Sequence, residues 1–301
     1  MTEFHTAFHT AFHTAFHTAT DLRHACELRA AHPEATLLAG GTDVMVGLNF
    51  GHRSATALLD LSRVPELREW SRDGDTVTLG AGVPYTRIVA ELGGALPGLA
   101  RAARTIGSAQ IRNRATVGGN VGTASPAGDA LPPLLSARAS IELASIRGTR
   151  SVPAREFFLG PGRSVLAGDE IVTAVRMPVA AGEFAKLGPR NAMVIAVASV
   201  SVTLDPARRQ VGCAVGSAAP TPLATVEAEE FATAELDWDG GRELPAPAAA
   251  RFGELVARAT APIDDVRGSA GYRRHAVAVL ARRTLEWAWR ESRANTGGAG
   301  R

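Results

Sequence analysis

Cysteine is almost missing from this chain: Cys26 and Cys213 are the only two among 301 residues. They form no C-x-x-C pair, which excludes a disulfide framework, a structural zinc site and an iron–sulfur cluster held by this chain alone. Any redox role therefore needs an organic centre. Long apolar runs are missing as well, since no stretch of 18 apolar residues occurs and the N-terminus lacks a basic segment followed by an apolar one. A cytoplasmic protein with no membrane partner is the expectation. There is no charge excess, 32 basic residues standing against 30 acidic ones, so bulk electrostatics gives no reason to expect nucleic acid. Lysine is the scarcest charged residue. Lys186 is the only one, every other cation being arginine, and a lysine's compact ammonium serves a site that a guanidinium fork does not fit. Finally, no Asp or Glu lies between Glu91 and Asp129.

That acid-free span holds Arg101, Arg104, Arg112 and Arg114 and the longer of two glycine-rich stretches. The shorter stretch is Leu37-Leu38-Ala39-Gly40-Gly41-Thr42-Asp43-Val44. The longer one runs from Ile106 through Ala115-Thr116-Val117-Gly118-Gly119-Asn120 and Thr123 to Asp129. Adjacent glycines beside hydroxyl and amide side chains let backbone N–H groups crowd an anion, because glycine accepts positive φ and carries no Cβ. The pair reads as two halves of a phosphate cradle for a dinucleotide, FAD foremost. Leu79-Gly80-Ala81-Gly82-Val83-Pro84 imitates a Rossmann fingerprint but has Tyr85 at the third glycine position and no acid about twenty residues later, as a ribose would require.

The first twenty residues contain Phe-His-Thr-Ala four times in tandem, placing His5, His9, His13 and His17 four apart. Without carboxylates beyond Glu3, the repeat reads as a sequence expansion with a frayed end rather than as a metal site. A short helix follows, capped by Asp21 or Thr20. Strand signals lie at 36–39, 57–61 and 76–79, and a helix signal at 88–92. Beyond the loop 177–182, 194–204 reads as a strand paired with 210–215. Residues 227–241 read as an acidic loop, 244–247 as a linker and 269–292 as a long helix with Tyr272, Ala276, Val279, Leu280, Arg283 and Trp287 at helical spacing. Trp287 and Trp289 read as packing residues, and 295–300 as a mobile tail.

In this order the segments resemble the FAD-binding, or medium, subunits of molybdenum hydroxylases such as xanthine, carbon monoxide and nicotinate dehydrogenases. The matching segments are Ala39–Asp43, Ile106–Asn120, Thr123–Asp129, Gly168–Val172, Phe184–Lys186, and Asp265–Ser269 with Tyr272-Arg273. The resemblance implies an α+β fold: a two-subdomain FAD-binding domain of the vanillyl-alcohol-oxidase (PCMH) type over 21–178, then a smaller α+β domain over 183–292 ending in a long helix. Residues 1–20 would be an extension outside the family's pattern and 293–301 a tail.

It also implies that Leu37 to Val44 wrap the FAD pyrophosphate, that Ala115, Thr116, Gly118, Gly119, Asn120 and Thr123 close from the other side, and that Asp129 holds a sugar or ribityl hydroxyl. Ile106 would contact the flavin, Val172 would line the adenine side, and Lys186 would touch FAD. The implied partners are a small subunit with 2Fe-2S clusters and a molybdopterin large subunit, as a dimer of heterotrimers. The FAD would pass electrons to NAD+, a quinone or oxygen. No cysteine-bearing insertion is present, which excludes the variants that carry an extra cluster. Gly271 weakens the start of the last helix. Two alternatives stay open on the residues alone: a stand-alone FAD-dependent oxidase or reductase, and a non-catalytic assembly subunit.

Overall fold

The structure is a computed structural model and describes residues 14–298. His5, His9, His13 and residues 299–301 lie outside the described residues. The fold is α+β. It begins with β1 (Ala15–Thr18), α1 (Leu22–Ala31), β2 (Thr36–Leu38), α2 (Val44–Asn49) and β3 (Ala57–Asp60), whose strands make a parallel sheet in the order β1-β3-β2. The last repeat unit is thus not a frayed end. Ala15 to Thr18 pairs in register with Ala57 to Asp60, Ala19 is fully buried, and the His17 ring stacks on His32 at 4.0 Å. The unit runs apolar, polar, polar, apolar, so no two-residue alternation announces a strand there, and the pairing with β3 is what holds it extended.

Next come β4 (Trp70–Asp73), β5 (Thr76–Gly80), α3 (Tyr85–Glu91), α4 (Pro97–Thr105), α5 (Ala109–Arg112), α6 (Val117–Thr123), α7 (Leu131–Ser136), β6 (Ser140–Ser145), β7 (Gly148–Pro153) and α8 (Ala154–Phe157). A small pair, β8 (Phe158–Gly160) and β9 (Arg163–Ser164), precedes β10 (Ile171–Pro178). An antiparallel sheet in the order β4-β5-β10-β6-β7 packs with these helices and the parallel sheet around one apolar core.

The remainder forms a second core. A four-stranded antiparallel sheet, β11 (Ala181–Leu187), β12 (Ala198–Asp205), β13 (Gln210–Gly216) and β14 (Leu223–Ala224), is covered by α9 (Val226–Glu235), α10 (Ala246–Arg258) and α11 (Ala270–Gly298). Several expectations fail here. The strand expected from 194 starts at Ala198. The supposed acidic loop contains α9, because Glu229 is buried by salt bridges to Arg138 and Arg155. The supposed linker leads into α10, with Pro245 at its N-cap and Pro247 in its first turn, where a missing N–H costs nothing. Helix α11 starts through Gly271 and runs over 295–298, which were expected to be a tail. Its buried face carries Arg273, Ala276, Val277, Ala281, Leu285, Ala288 and Trp289, whereas Tyr272 and Trp287 are exposed. Trp289 packs edge-on against Trp238 and donates to the Arg242 carbonyl.

The two cores are fastened directly. Glu229 accepts from Arg155 at 2.5 Å, from Arg138 at 3.0 Å and from the Cys213 amide at 2.8 Å. Arg101 on α4 donates to the Gly182 carbonyl and pairs with Glu183 and Glu291. Ser136 of α7 meets Ser201 and Thr203 of β12. Burial pushes the Cys213 thiol up to about 12, so it stays a neutral, unreactive thiol. An aromatic disulfide reagent should leave Cys213 unmodified in the native chain and label it after denaturation, which a thiol count before and after denaturant checks.

Candidate functional site: a glycine cradle opening on a cationic cleft

The first glycine stretch leaves the end of β2, and the amides of Gly40 to Asp43 donate to no acceptor among the described residues. Gly41 has φ +77°, which turns the chain towards α2 and suits only glycine well. Gly40 is required for another reason: a Cβ there would stand 1.9 Å from the Arg114 carbonyl oxygen. The two glycine stretches therefore touch backbone to backbone.

The second stretch is anchored from behind by the very segment that imitates a Rossmann turn. The Gly118 amide donates to the Ala81 carbonyl at 2.9 Å, and a Cβ on Gly118 would lie 2.4 Å from Ala81 Cβ. Tyr85 N–H donates to the Ala115 carbonyl at 3.1 Å. Gly80 and Gly82 face the backbone of Leu67 and Glu69 rather than a ligand. Thr116 caps α6, its Oγ1 accepting from the Gly119 amide at 3.0 Å. Thr116→Ala should cost about 1 kcal/mol, the usual loss of an N-cap, measured by denaturant unfolding with and without flavin.

Beside the cradle lies a buried ion pair. Lys186 on β11 brings Nζ to 2.5 Å from Asp129 Oδ2 and 3.2 Å from the Thr105 carbonyl, while the Thr105 hydroxyl donates to the same carboxylate oxygen at 3.3 Å. Burial raises the Asp129 carboxyl above its ordinary value, against the downward pull of the Lys186 ammonium. Three buried polar atoms nearby in sequence or charge have no partner: Asp129 Oδ1, Asn120 Oδ1 and Tyr85 Oη. Burial and the Asp129 charge push the Tyr85 phenol up, so it remains a hydrogen-bond donor. Unfilled buried acceptors and a donor suit a ligand rich in hydroxyls.

Lys186 and Thr105 also border a cleft of about 590 Å³. One wall comes from the first core, with Arg104, Gly107, Ser108 and Arg112. The other comes from the segment after β11, with Arg190 and Met193 among its residues. Its lining carries four cations and no carboxylate. Arg112 donates to the Ile106 and Gly107 carbonyls at 3.1 and 3.0 Å, fixing the turn at Gly107, whose φ is +47°.

Of the residues singled out from sequence, Leu37 and Leu38 lie on β2, Ala39 to Val44 lead into α2, and Ala115, Thr116, Gly118, Gly119, Asn120 and Thr123 form α6 and its approach. Asp129 and Lys186 meet each other. Ile106 sits between two cleft-lining neighbours. Val172 on β10 is buried in the first core opposite Leu143 of β6. Sequence reasoning passed over Ala81, Tyr85, Thr105 and the cleft residues Arg190 to Val194. Of the cleft's arginines only Arg104 and Arg112 lie in the acid-free span, whereas Arg190 lies outside it and carried no such signal.

Residues 9–180 match the family described as FAD binding domain in molybdopterin dehydrogenase, and residues 183–288 match the CO dehydrogenase flavoprotein C-terminal domain. The first match begins inside the repeat, which corrects the expectation that residues 1–20 stand apart from the family's pattern. The chain is 32% identical over 275 residues to the nicotine 6-hydroxylase medium subunit of Paenarthrobacter nicotinovorans, covering 88% of this chain and 93% of the relative. It is 31% identical over 280 residues to a xanthine dehydrogenase FAD-binding subunit of Escherichia coli O157:H7, covering 89% and 93%. A carbon monoxide dehydrogenase chain from Hydrogenophaga pseudoflava superposes with a TM-score of 0.82 at 27% identity, over 92% of this chain and 98% of that one.

Proposed function

The chain belongs to the FAD-binding medium subunits of the molybdenum hydroxylases, oxidoreductase subunits with FAD as cofactor, and from that premise we propose that it relays electrons within a heteromeric complex. A partner carrying 2Fe-2S clusters delivers them, and NAD+, a quinone or oxygen removes them. A molybdopterin-bearing large subunit oxidises the substrate, and two such trimers associate. When bound, FAD supplies the redox chemistry, accepting single electrons and releasing them as a pair.

The observation that carries this reading is the contact of Gly40 with the Arg114 carbonyl, which brings the free amides of Gly40 to Asp43 against the capped start of α6. Those amides would bind the pyrophosphate of FAD. Asp129 and Asn120 would accept hydrogen bonds from its sugar or ribityl hydroxyls through the oxygens left without partners. Thr105, Ile106 and Gly107 would meet the ring system, and the four cations of the cleft would favour a reduced, more negative ring. Among the described residues no group of metal-ligating side chains is present and no helix is long and apolar enough to cross a membrane.

The test is purification of the chain alone and together with co-expressed partner chains. The expected result is stoichiometric FAD in both preparations, with substrate bleaching the flavin absorbance only when the partners are present. Substrate turnover by the isolated chain would favour the stand-alone oxidoreductase instead. Identification of the acceptor follows from which of NAD+, a quinone analogue or oxygen restores the bleached absorbance.

A further inference from the structure

The backbone between β11 and β12 does not simply cross from strand to strand. Val197 N–H donates to the Leu187 carbonyl at 2.8 Å, closing residues 188–196 into a loop. The ladder resumes at Ala198 opposite Leu187. Inside the loop the Arg190 guanidinium donates to the carbonyls of Ala192 and Met193 at 3.1 and 2.7 Å, and Met193 adopts φ +50°. Gly188 packs so closely that a Cβ would stand 2.2 Å from Val194 Cγ2. This loop supplies most of one wall of the cleft.

What holds it comes from a distant part of the chain. Arg273, in the first turn of α11 and 1% exposed, donates to the Val197 carbonyl at 3.2 Å and the Ser217 carbonyl at 2.7 Å, and pairs with Asp265 Oδ1. Asp265 opens a tight hairpin with Gly268. Its other oxygen accepts from Arg267 at 2.5 and 3.0 Å, and Arg267 reaches the Ala196 carbonyl at 3.5 Å. Two guanidinium groups joined by one carboxylate thus take the carbonyls at the loop's C-terminal base. The ordinary alternative is that the cluster only stabilises the second core. Two details weigh against it. The cluster leaves Arg273 Nε and Ser217 Oγ buried without partners, a poor bargain for stability alone, and two of its three backbone contacts, on Ala196 and Val197, fall on the loop base, the third being on Ser217 just after β13.

We propose that Arg273, Asp265 and Arg267 are positioning residues for the flavin, holding loop 188–196 in the shape that covers the ring end of the FAD. The inference rests on the cofactor placement given above. It separates the site into two independent parts: retention belongs to the glycine cradle, and shielding of the ring belongs to this cluster.

The experiment uses the full chain loaded with FAD as parent, Arg267→Gln and Arg273→Lys. Trypsin cleavage after Arg190 is followed by mass spectrometry, with cleavage after Arg72 on β4 as the internal reference. Iodide quenching of flavin fluorescence and FAD per chain are measured on the same samples. Cleavage after Arg190 should accelerate about tenfold or more as the loop opens locally, iodide quenching should rise, and Arg72 cleavage and FAD content should stay at parent values. Arg267 is the more exposed of the two arginines, so its variant keeps the test alive if Arg273→Lys fails to fold. Unchanged Arg190 cleavage and quenching in folded Arg267→Gln overturns the proposal. So does faster cleavage with unchanged quenching, since the loop would then not cover the ring. A parent chain that takes up no FAD overturns the cofactor placement itself, and the shielding role with it.

Discussion

Gly40→Ala should strip the chain of its flavin while leaving both cores folded. The added methyl would stand 1.9 Å from the Arg114 carbonyl oxygen and 2.6 Å from its carbon. Neither neighbour is a flexible side chain, so relief requires moving the first glycine stretch away from the second. Overpacking of this kind costs about 3 kcal/mol at the upper end of its usual range, which corresponds to a loss of about 100-fold in affinity. The visible absorbance of the purified variant reads the result. Gly94→Ala is the control, since nothing lies within 4 Å of the Cβ it would add, and it should keep its FAD. Full flavin content in Gly40→Ala would mean that the two stretches can separate without harm and that the cradle is not built from their contact.

Lys186→Met should destabilise the protein by about 3–5 kcal/mol, the cost of leaving one member of a buried ion pair without the other. The carboxylate it abandons has one oxygen already unpartnered and only the Thr105 hydroxyl on the second. Loss of the ammonium removes the main influence holding the Asp129 carboxyl down, so a group already raised by burial rises further. The sign of the pH dependence follows. A carboxyl whose folded pKa exceeds its unfolded value binds more protons when folded, so the variant is best off at acidic pH and loses stability as pH rises through the raised value. Urea unfolding at about pH 5 and about pH 8 should show the gap to the parent widening at the higher pH. The double variant Lys186→Met with Asp129→Asn should recover much of the loss, because no charge is then left buried. A double variant no better than the single would place the effect in packing rather than charge.

The sequence was informative where a backbone needed something only glycine supplies. Gly40, Gly41 and Gly118 mark the cradle because each answers a demand only glycine meets well, a close approach to Arg114, a positive φ and a close approach to Ala81 respectively. The α+β layering followed from β-branched and apolar runs that match β2, β3, β5 and β12 to within a few residues. Helix α9 was hidden because its stability comes from Glu229 meeting arginines 74 and 91 residues away, and no apolar stripe marks it. The true face of α11 was misjudged since Tyr272 and Trp287 are large but exposed, whereas the buried positions include Arg273 and Thr284. The meeting of Asp129 and Lys186, 57 residues apart, has no local signature at all. Each looked like a residue for the cofactor, and the fold shows that much of what each offers is taken by the other.

The burial of Lys186 carries one more consequence, for anyone mapping the neighbours of this chain in an assembly. The side chain is 7% exposed and is the chain's sole lysine. Amine-directed cross-linkers therefore find no accessible side-chain amine on the surface of this chain, and a map made with them would miss every contact out of reach of its N-terminal α-amine. Carboxyl- or guanidine-directed reagents would see the same surface densely populated, since its arginines and acids are spread over both cores.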